Sequence, residues 1–124
     1  GNQAMSVSVD HIGINVTDLD KARAFYAAAL APLGMKILAD YGEVFGMGDQ
    51  FPFLWISKGK AGHVHLALTA SRAQVDAFYA AAMTAGGTDN GKPGLRAEYH
   101  PNYYGAFVLD ADGHNLEAVC HAPA

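Results

Sequence analysis

A single cysteine, Cys120, is all the thiol this chain has, so an internal disulfide is impossible and a reducing cytoplasm is the expected setting. Charge is sparse and of mixed sign: 8 Lys and Arg against 12 Asp and Glu leave a net charge of −4. With no basic stripe or Lys/Arg cluster, nucleic acid is excluded as a partner. No apolar run approaches the roughly 20 residues that a bilayer span requires, and no basic start leads into an apolar stretch. Neither a membrane segment nor a secretory leader is therefore expected. What the chain has in quantity is hydrophobic side chains, 51% of its 124 residues, enough to build a sizeable core and to exclude disorder. Gly1–Ala4 read as a cloning remnant before Met5, so 1–6 are set apart as an N-terminal tail.

The rest is written twice. Residues 25–29 and 78–82 both read Phe-Tyr-Ala-Ala-Ala. Upstream of each, a histidine opens an apolar run, His11-Ile-Gly-Ile-Asn-Val and His65-Leu-Ala-Leu-Thr-Ala, and nine residues after each Phe stands a glycine, Gly34 and Gly87. A period of this kind means one supersecondary unit performed twice around a shared core. The boundaries expected are 7–59 for the first module and 60–122 for the second.

Alternation predicts a strand over Val7–Val16, with Val9, His11, Gly13 and Asn15 on one face and Ile12, Ile14 and Val16 on the other. Thr17 and Asp18 offer N-cap chemistry, and Leu19, Ala22, Tyr26, Ala29, Leu30 and Leu33 form the apolar stripe of a helix over Leu19–Leu33. Short strands follow near Met35–Ala39, Glu43–Met47 and Phe53–Ser57. In the second copy a strand carries His63, His65, Ala67 and Thr69 on one face. Ser71-Arg-Ala-Gln74 is a capping-box pattern that starts the second helix. Thr88–Asn102, with its glycines, proline and charges, reads as an irregular segment, followed by strands at Tyr104–Leu109 and Asn115–His121. The fold class is α+β: two βαβββ modules forming a curved, cup-like mixed sheet with helices outside.

Aligning the copies from Tyr41-Gly42 and Tyr104-Gly105 places Glu117 opposite Leu54. A carboxylate flanked by Leu116, Ala118 and Val119 is costly to bury without a compensating cation, which a metal ion, Arg96 or Lys92 could supply. His11 and His65 occupy repeat-equivalent strand positions. With Glu117 they make a candidate site for one divalent metal ion, Zn, Fe, Mn, Ni or Co, with coordination positions left for substrate. The segment Arg96-Ala-Glu-Tyr-His-Pro-Asn-Tyr-Tyr104 is expected at the cup's rim, with His100 and Tyr103 as proton donors or substrate contacts, and His63 as a further acid/base group. Asn15, Phe53, Trp55, Tyr104 and His121 are the candidate substrate-binding wall. Asp110-Ala-Asp-Gly113 reads as a turn, not a calcium loop, and Cys120 as core.

These motifs carry a resemblance. Asp10-His-Ile-Gly-Ile-Asn-Val-Thr-Asp-Leu-Asp-Lys-Ala-Arg-Ala-Phe-Tyr26, Gly62-His-Val-His-Leu-Ala-Leu68 and Tyr104-Gly-Ala-Phe-Val-Leu-Asp-Ala-Asp-Gly-His-Asn-Leu-Glu117 resemble the glyoxalase, bleomycin-resistance and dioxygenase group, the vicinal oxygen chelate superfamily. The resemblance covers nearly all of Val7–His121. It implies paired βαβββ modules, a divalent metal at the centre of an open cup, and ligands from the first and last strands of each module, positions that His11, His65 and Glu117 match. Where many members place a fourth, acidic ligand, this chain has Leu54, a pattern similar to the two-histidine, one-glutamate iron site of extradiol dioxygenases. The function implied is lyase, isomerase or ring-cleaving chemistry on the vicinal oxygens of a small organic molecule. A metal-free protein that sequesters an aromatic or hydrophobic compound is the alternative, and a ligand-free dimerisation module the third. A homodimer is expected, because such modules leave sheet edges to be covered.

Overall fold

The computed structural model describes residues 6–124; the N-terminal reading of Gly1–Met5 falls outside them. Two modules follow one another, each a strand, a helix and three further strands: β1 (Ile12–Val16), α1 (Leu19–Leu30), β2 (Lys36–Asp40), β3 (Val44–Gly48) and β4 (Leu54–Lys58), then β5 (His65–Thr69), α2 (Arg72–Thr84), β6 (Thr88–Leu95), β7 (Tyr104–Leu109) and β8 (Asn115–Cys120). Each module makes its own mixed four-stranded sheet, in the orders β1-β4-β3-β2 and β5-β8-β7-β6. The first strand of each module lies parallel to its last, and the other pairings are antiparallel. The α+β fold of two open βαβββ sheets is thus the one the repeat implied.

The helices begin where their caps put them. The Asp18 carboxylate accepts from the Lys21 N–H, and Ser71 and Gln74 complete a reciprocal capping box at α2. Pro32 tightens the end of α1 into a 3₁₀ turn over Ala31–Leu33, so the α-helix ends earlier than its apolar stripe suggests. Each helix covers one face of its own sheet, and the two helices pack on each other. Tyr26, Leu30, Phe45, Leu54, Ile56, Val75, Phe78 and Val108 form a continuous core through both modules. Among the described residues, the opposite face of each sheet carries no helix.

Two expectations change. The first strand is Ile12–Val16, shorter than Val7–Val16, because Val7 and Val9 alternate with nothing to cover them and stand 102% and 78% exposed. Thr88–Leu95, read as irregular, is a full strand. Its glycines and proline sit at register shifts between Asp89, Gly91 and Gly94, where bulges accommodate residues that ordinary ladders reject.

A polar seam joins the modules. The buried Tyr26 hydroxyl donates to Asp110 Oδ2 (2.6 Å), and Asp110 Oδ1 accepts from the backbone N–H of Asp112 (3.0 Å) and His114 (2.8 Å). His114, 1% exposed, accepts on Nδ1 from the Val64 N–H (3.1 Å) and donates from Nε2 to the Asn15 carbonyl (2.7 Å), which fixes its tautomer. Thr17 bonds Asp112 through both its N–H and its hydroxyl. Burial, and then the Asp110 charge, hold the Tyr26 phenol far above the ordinary tyrosine range. A phenol whose pKa is raised by folding contributes stability that is intact below about pH 10 and declines as pH climbs further. Tyr26→Phe should cost about 1–2 kcal/mol at neutral pH. It should also flatten the decline of stability above pH 10; urea titrations at pH 7 and in the alkaline range check both.

Candidate functional site

Strand alternation selects what the uncovered face of the second sheet displays. Leu116, Ala118 and Cys120 point to α2, so Asn115, Glu117 and Val119 point away from it. Phe107 and Ala67 pair with Glu117 across β7 and β5 and share its face. The Glu117 side chain is 1% exposed, although it is a carboxylate. His65 Nε2 lies 2.9 Å from its Oε1, and the Tyr103 hydroxyl donates to its Oε2. Neither Arg96 nor Lys92 reaches it; its partners are an imidazole and a phenol. Gly105 makes room, since a Cβ there would stand 3.2 Å from the Tyr103 ring and 3.3 Å from Glu117 Oε2.

Tyr103 ends the β6–β7 loop, which closes through the Arg96 N–H and the Tyr103 carbonyl (2.7 Å). Burial first, then the hydrogen bond to Glu117, push its phenol up to about 12, so at neutral pH it keeps its proton and remains a donor. Three aromatic neighbours hold the ring: Tyr99 at 4.9 Å, His121 at 5.2 Å and His100 at 5.5 Å between centroids. The two histidines stack at 4.7 Å and touch through His100 Nε2 and His121 Nδ1. His100 Nδ1 accepts from the Asn102 N–H (3.0 Å), which leaves its proton on Nε2, directed at His121.

The structure therefore gathers His65, Tyr103, His100, His121 and Glu117 on one face of module 2. His11 is not among them. It is exposed just before β1, with Nδ1 2.6 Å from Asp10 Oδ1, and among the described residues no three His, Cys, Asp or Glu side chains stand close enough to hold one ion. His63 is exposed beside the turn at Gly113, away from Glu117. Tyr104, the first residue of β7, faces the other way, since it pairs with Cys120 on the helix side. Its hydroxyl donates to Asp76 (2.5 Å) and its ring lies under the Arg72 guanidinium, so it is a helix-packing residue here. Asn15 points out of β1 towards the Lys60 carbonyl (3.4 Å), while Phe53 packs partly against the core. Trp55 lies on the uncovered face of the first sheet, stacked on Tyr41 at 6.2 Å and 8°, above Gly46, whose absent Cβ would come within 2.8 Å of the indole.

The register also moves the fourth position. Ala67 pairs with Glu117 in module 2, and the residue equivalent to Ala67 in β1, Gly13, pairs with Trp55. Trp55, not Leu54, is the counterpart of Glu117; Leu54 is fully buried against the helix side. The gap-free alignment from Tyr41 and Tyr104 is one residue out of step in β4, and a slip of one exchanges the faces of a strand. Sequence reading also missed Asp110 and His114, whose partners lie up to 99 positions away and leave no local pattern.

The donor set is suited to a divalent ion: one imidazole nitrogen and one carboxylate converge from adjacent strands, both ligand types for zinc, iron or manganese. Two are too few on their own.

A family model described as the Glyoxalase/Bleomycin resistance protein/Dioxygenase superfamily matches residues 8–118. No curated protein matches the chain. Among solved structures, a glyoxalase/bleomycin resistance protein from Albidiferax ferrireducens T118 superposes with a TM-score of 0.81 at 28% identity, over 90% of this chain and 97% of that one. The fosfomycin resistance protein FosX of Mesorhizobium loti gives 0.71 at 15% identity, over 95% of each chain. A FosX variant from Listeria monocytogenes, complexed with Mn(II) and a dihydroxypropylphosphonic acid, gives 0.70 at 18%, over 93% of this chain and 90% of that one.

Proposed function

Because the chain belongs to the Glyoxalase/Bleomycin resistance protein/Dioxygenase superfamily, we propose that it is a metal-dependent enzyme acting on a small oxygen-bearing molecule, its ion held by His65 and Glu117 of one chain and His11 of a second copy. The observation that carries this reading is the carboxylate of Glu117: 1% exposed, on a sheet face that no helix covers, with an imidazole nitrogen 2.9 Å away. A carboxylate so placed is expensive unless a cation compensates it. His11 supports the second copy. It precedes an edge strand, projects outward, and has no route to Glu117 within its own sheet. Strands β1 and β5 are both edges, and pairing two chains along them would cover both.

When bound, the divalent ion would supply Lewis acidity to a substrate oxygen. The chain's own residues do the rest. Tyr103 fixes the orientation of Glu117 and holds a proton beside it. His100 and His121 pack Tyr103 and offer a relay for protons at the rim. Trp55 and Tyr41 give a flat apolar wall from the first sheet of the other chain. That wall is also the observation favouring a second reading, a metal-free protein that stacks and sequesters an aromatic compound.

A complementation experiment tests the shared site. His11→Ala and Glu117→Ala chains, each purified alone, should bind no manganese or zinc tightly. The heterodimer isolated after co-expression should regain one of its two sites, because one intact His11 then meets one intact Glu117. A site built within single chains would leave that heterodimer empty, and the proposal would fail.

A further inference from the structure

The β6–β7 loop carries a cation that the site has not yet used. Arg96 is half-buried, and among the described residues no carboxylate lies within ion-pair distance of it. Its guanidinium is nevertheless held in place. Nη1 donates to the Gly94 carbonyl (2.8 Å), Nη2 to the Lys92 carbonyl (2.7 Å), and the group lies 5.5 Å from the centre of the Phe107 ring. Phe107 pairs with Glu117 and its ring is 6.1 Å from that of His65, so Arg96 occupies the same uncovered face, one aromatic ring away from the candidate metal ligands.

Glycines let the guanidinium lie close against the backbone. A Cβ on Gly91 would stand 3.1 Å from Nη2 and 2.8 Å from the Phe107 ring; one on Gly94 would stand 3.2 Å from Nη1. Gly105 does the same for Tyr103 and Glu117. A guanidinium has five N–H donors in a fixed fork. Two are spent on carbonyls of β6, which leaves three for a ligand.

A preorganised, partly desolvated and unpaired guanidinium is the group best suited to grip a planar or tetrahedral oxyanion. We propose that Arg96 is the oxyanion-binding residue of this site, so that the substrate carries a carboxylate, phosphate or phosphonate about one ring's width from the oxygens presented to His65 and Glu117. The inference rests on the reading of that face as the substrate site, and it narrows the substrate to anionic small molecules.

Inorganic phosphate and benzoate are the probes, each titrated into the metal-free protein while the amide signals of Gly94, Arg96 and Phe107 are followed by NMR. Saturable shifts at those three residues are expected with at least one probe, and the probe that binds tighter assigns the class. Arg96→Gln should weaken binding by about tenfold or more, and Arg96→Lys by less, since an ammonium keeps the charge without the fork. Manganese binding measured on Arg96→Gln controls for its fold and should be unchanged. Glu117→Gln should lose the metal yet retain the probe. Shifts that never saturate, or equal affinity in Arg96→Gln and the parent, would overturn the inference. A parent protein that binds the probe but no manganese would instead overturn only the metal reading.

Discussion

Glu117→Gln should reduce affinity for manganese or zinc by about 100-fold or more while leaving the protein folded. The substitution is nearly isosteric, so the site keeps its shape and a single oxygen still accepts from Tyr103. What disappears is the negative charge, and a neutral amide is a poor ligand for a divalent ion. The charge matters more here than on a surface, because the carboxylate is screened by so little water. Tyr103→Phe, which removes only the hydroxyl that orients Glu117, should cost about 10–100-fold, in the range of supporting contacts to metal ligands. Calorimetric metal titrations of the three proteins give the ranking. If Glu117→Gln binds as tightly as the parent, Glu117 is no ligand and the enzyme reading fails with it.

The second large effect concerns the fold. Asp110 is 7% exposed and accepts from three donors at once, one of them the Tyr26 hydroxyl from the other module. Asp110→Ala strands a buried phenol and two backbone N–H groups in a single step, which should destabilise the protein by about 3 kcal/mol or more. Asp110→Asn keeps one acceptor and should fall between. Chemical denaturation measures both, and a loss below about 1 kcal/mol for alanine would show that water replaces the carboxylate without penalty. Since the seam ties α1 to the β7–β8 turn, the variant should also reveal whether the modules unfold as one cooperative unit.

Much of this architecture was written in the sequence because it is local. Two caps, two apolar stripes and a doubled Phe-Tyr-Ala-Ala-Ala are each short-range signals, and duplication gave every one of them an independent witness. The pairing of His65 with Glu117 was legible for the same reason, since both fall at matching places in strands that a βαβββ module lays side by side. What failed was register and bulging. Gly91, Pro93 and Gly94 are turn residues by type, yet β7 pairs with the strand they belong to by shifting its ladder around them. Leu54 falls at the fourth position only in a gap-free alignment, because the turns and connections around β3 differ in length from those around β7. And His11 stands apart from His65 within one chain, a separation that no spacing along the sequence could disclose.

The exchange of Glu117 for Trp55 at one register position has a consequence for how the protein can change. The two halves differ at this position: one carries an acid, the other an indole laid flat over Gly46. On the proposed reading, ligand preference and reactivity would rest on different segments. If the proposed function holds, substitutions around Trp55 and Tyr41 would retune which molecules are accepted while the His65–Glu117 pair stays untouched, and replacing Glu117 alone would remove the chemistry and leave the apolar wall.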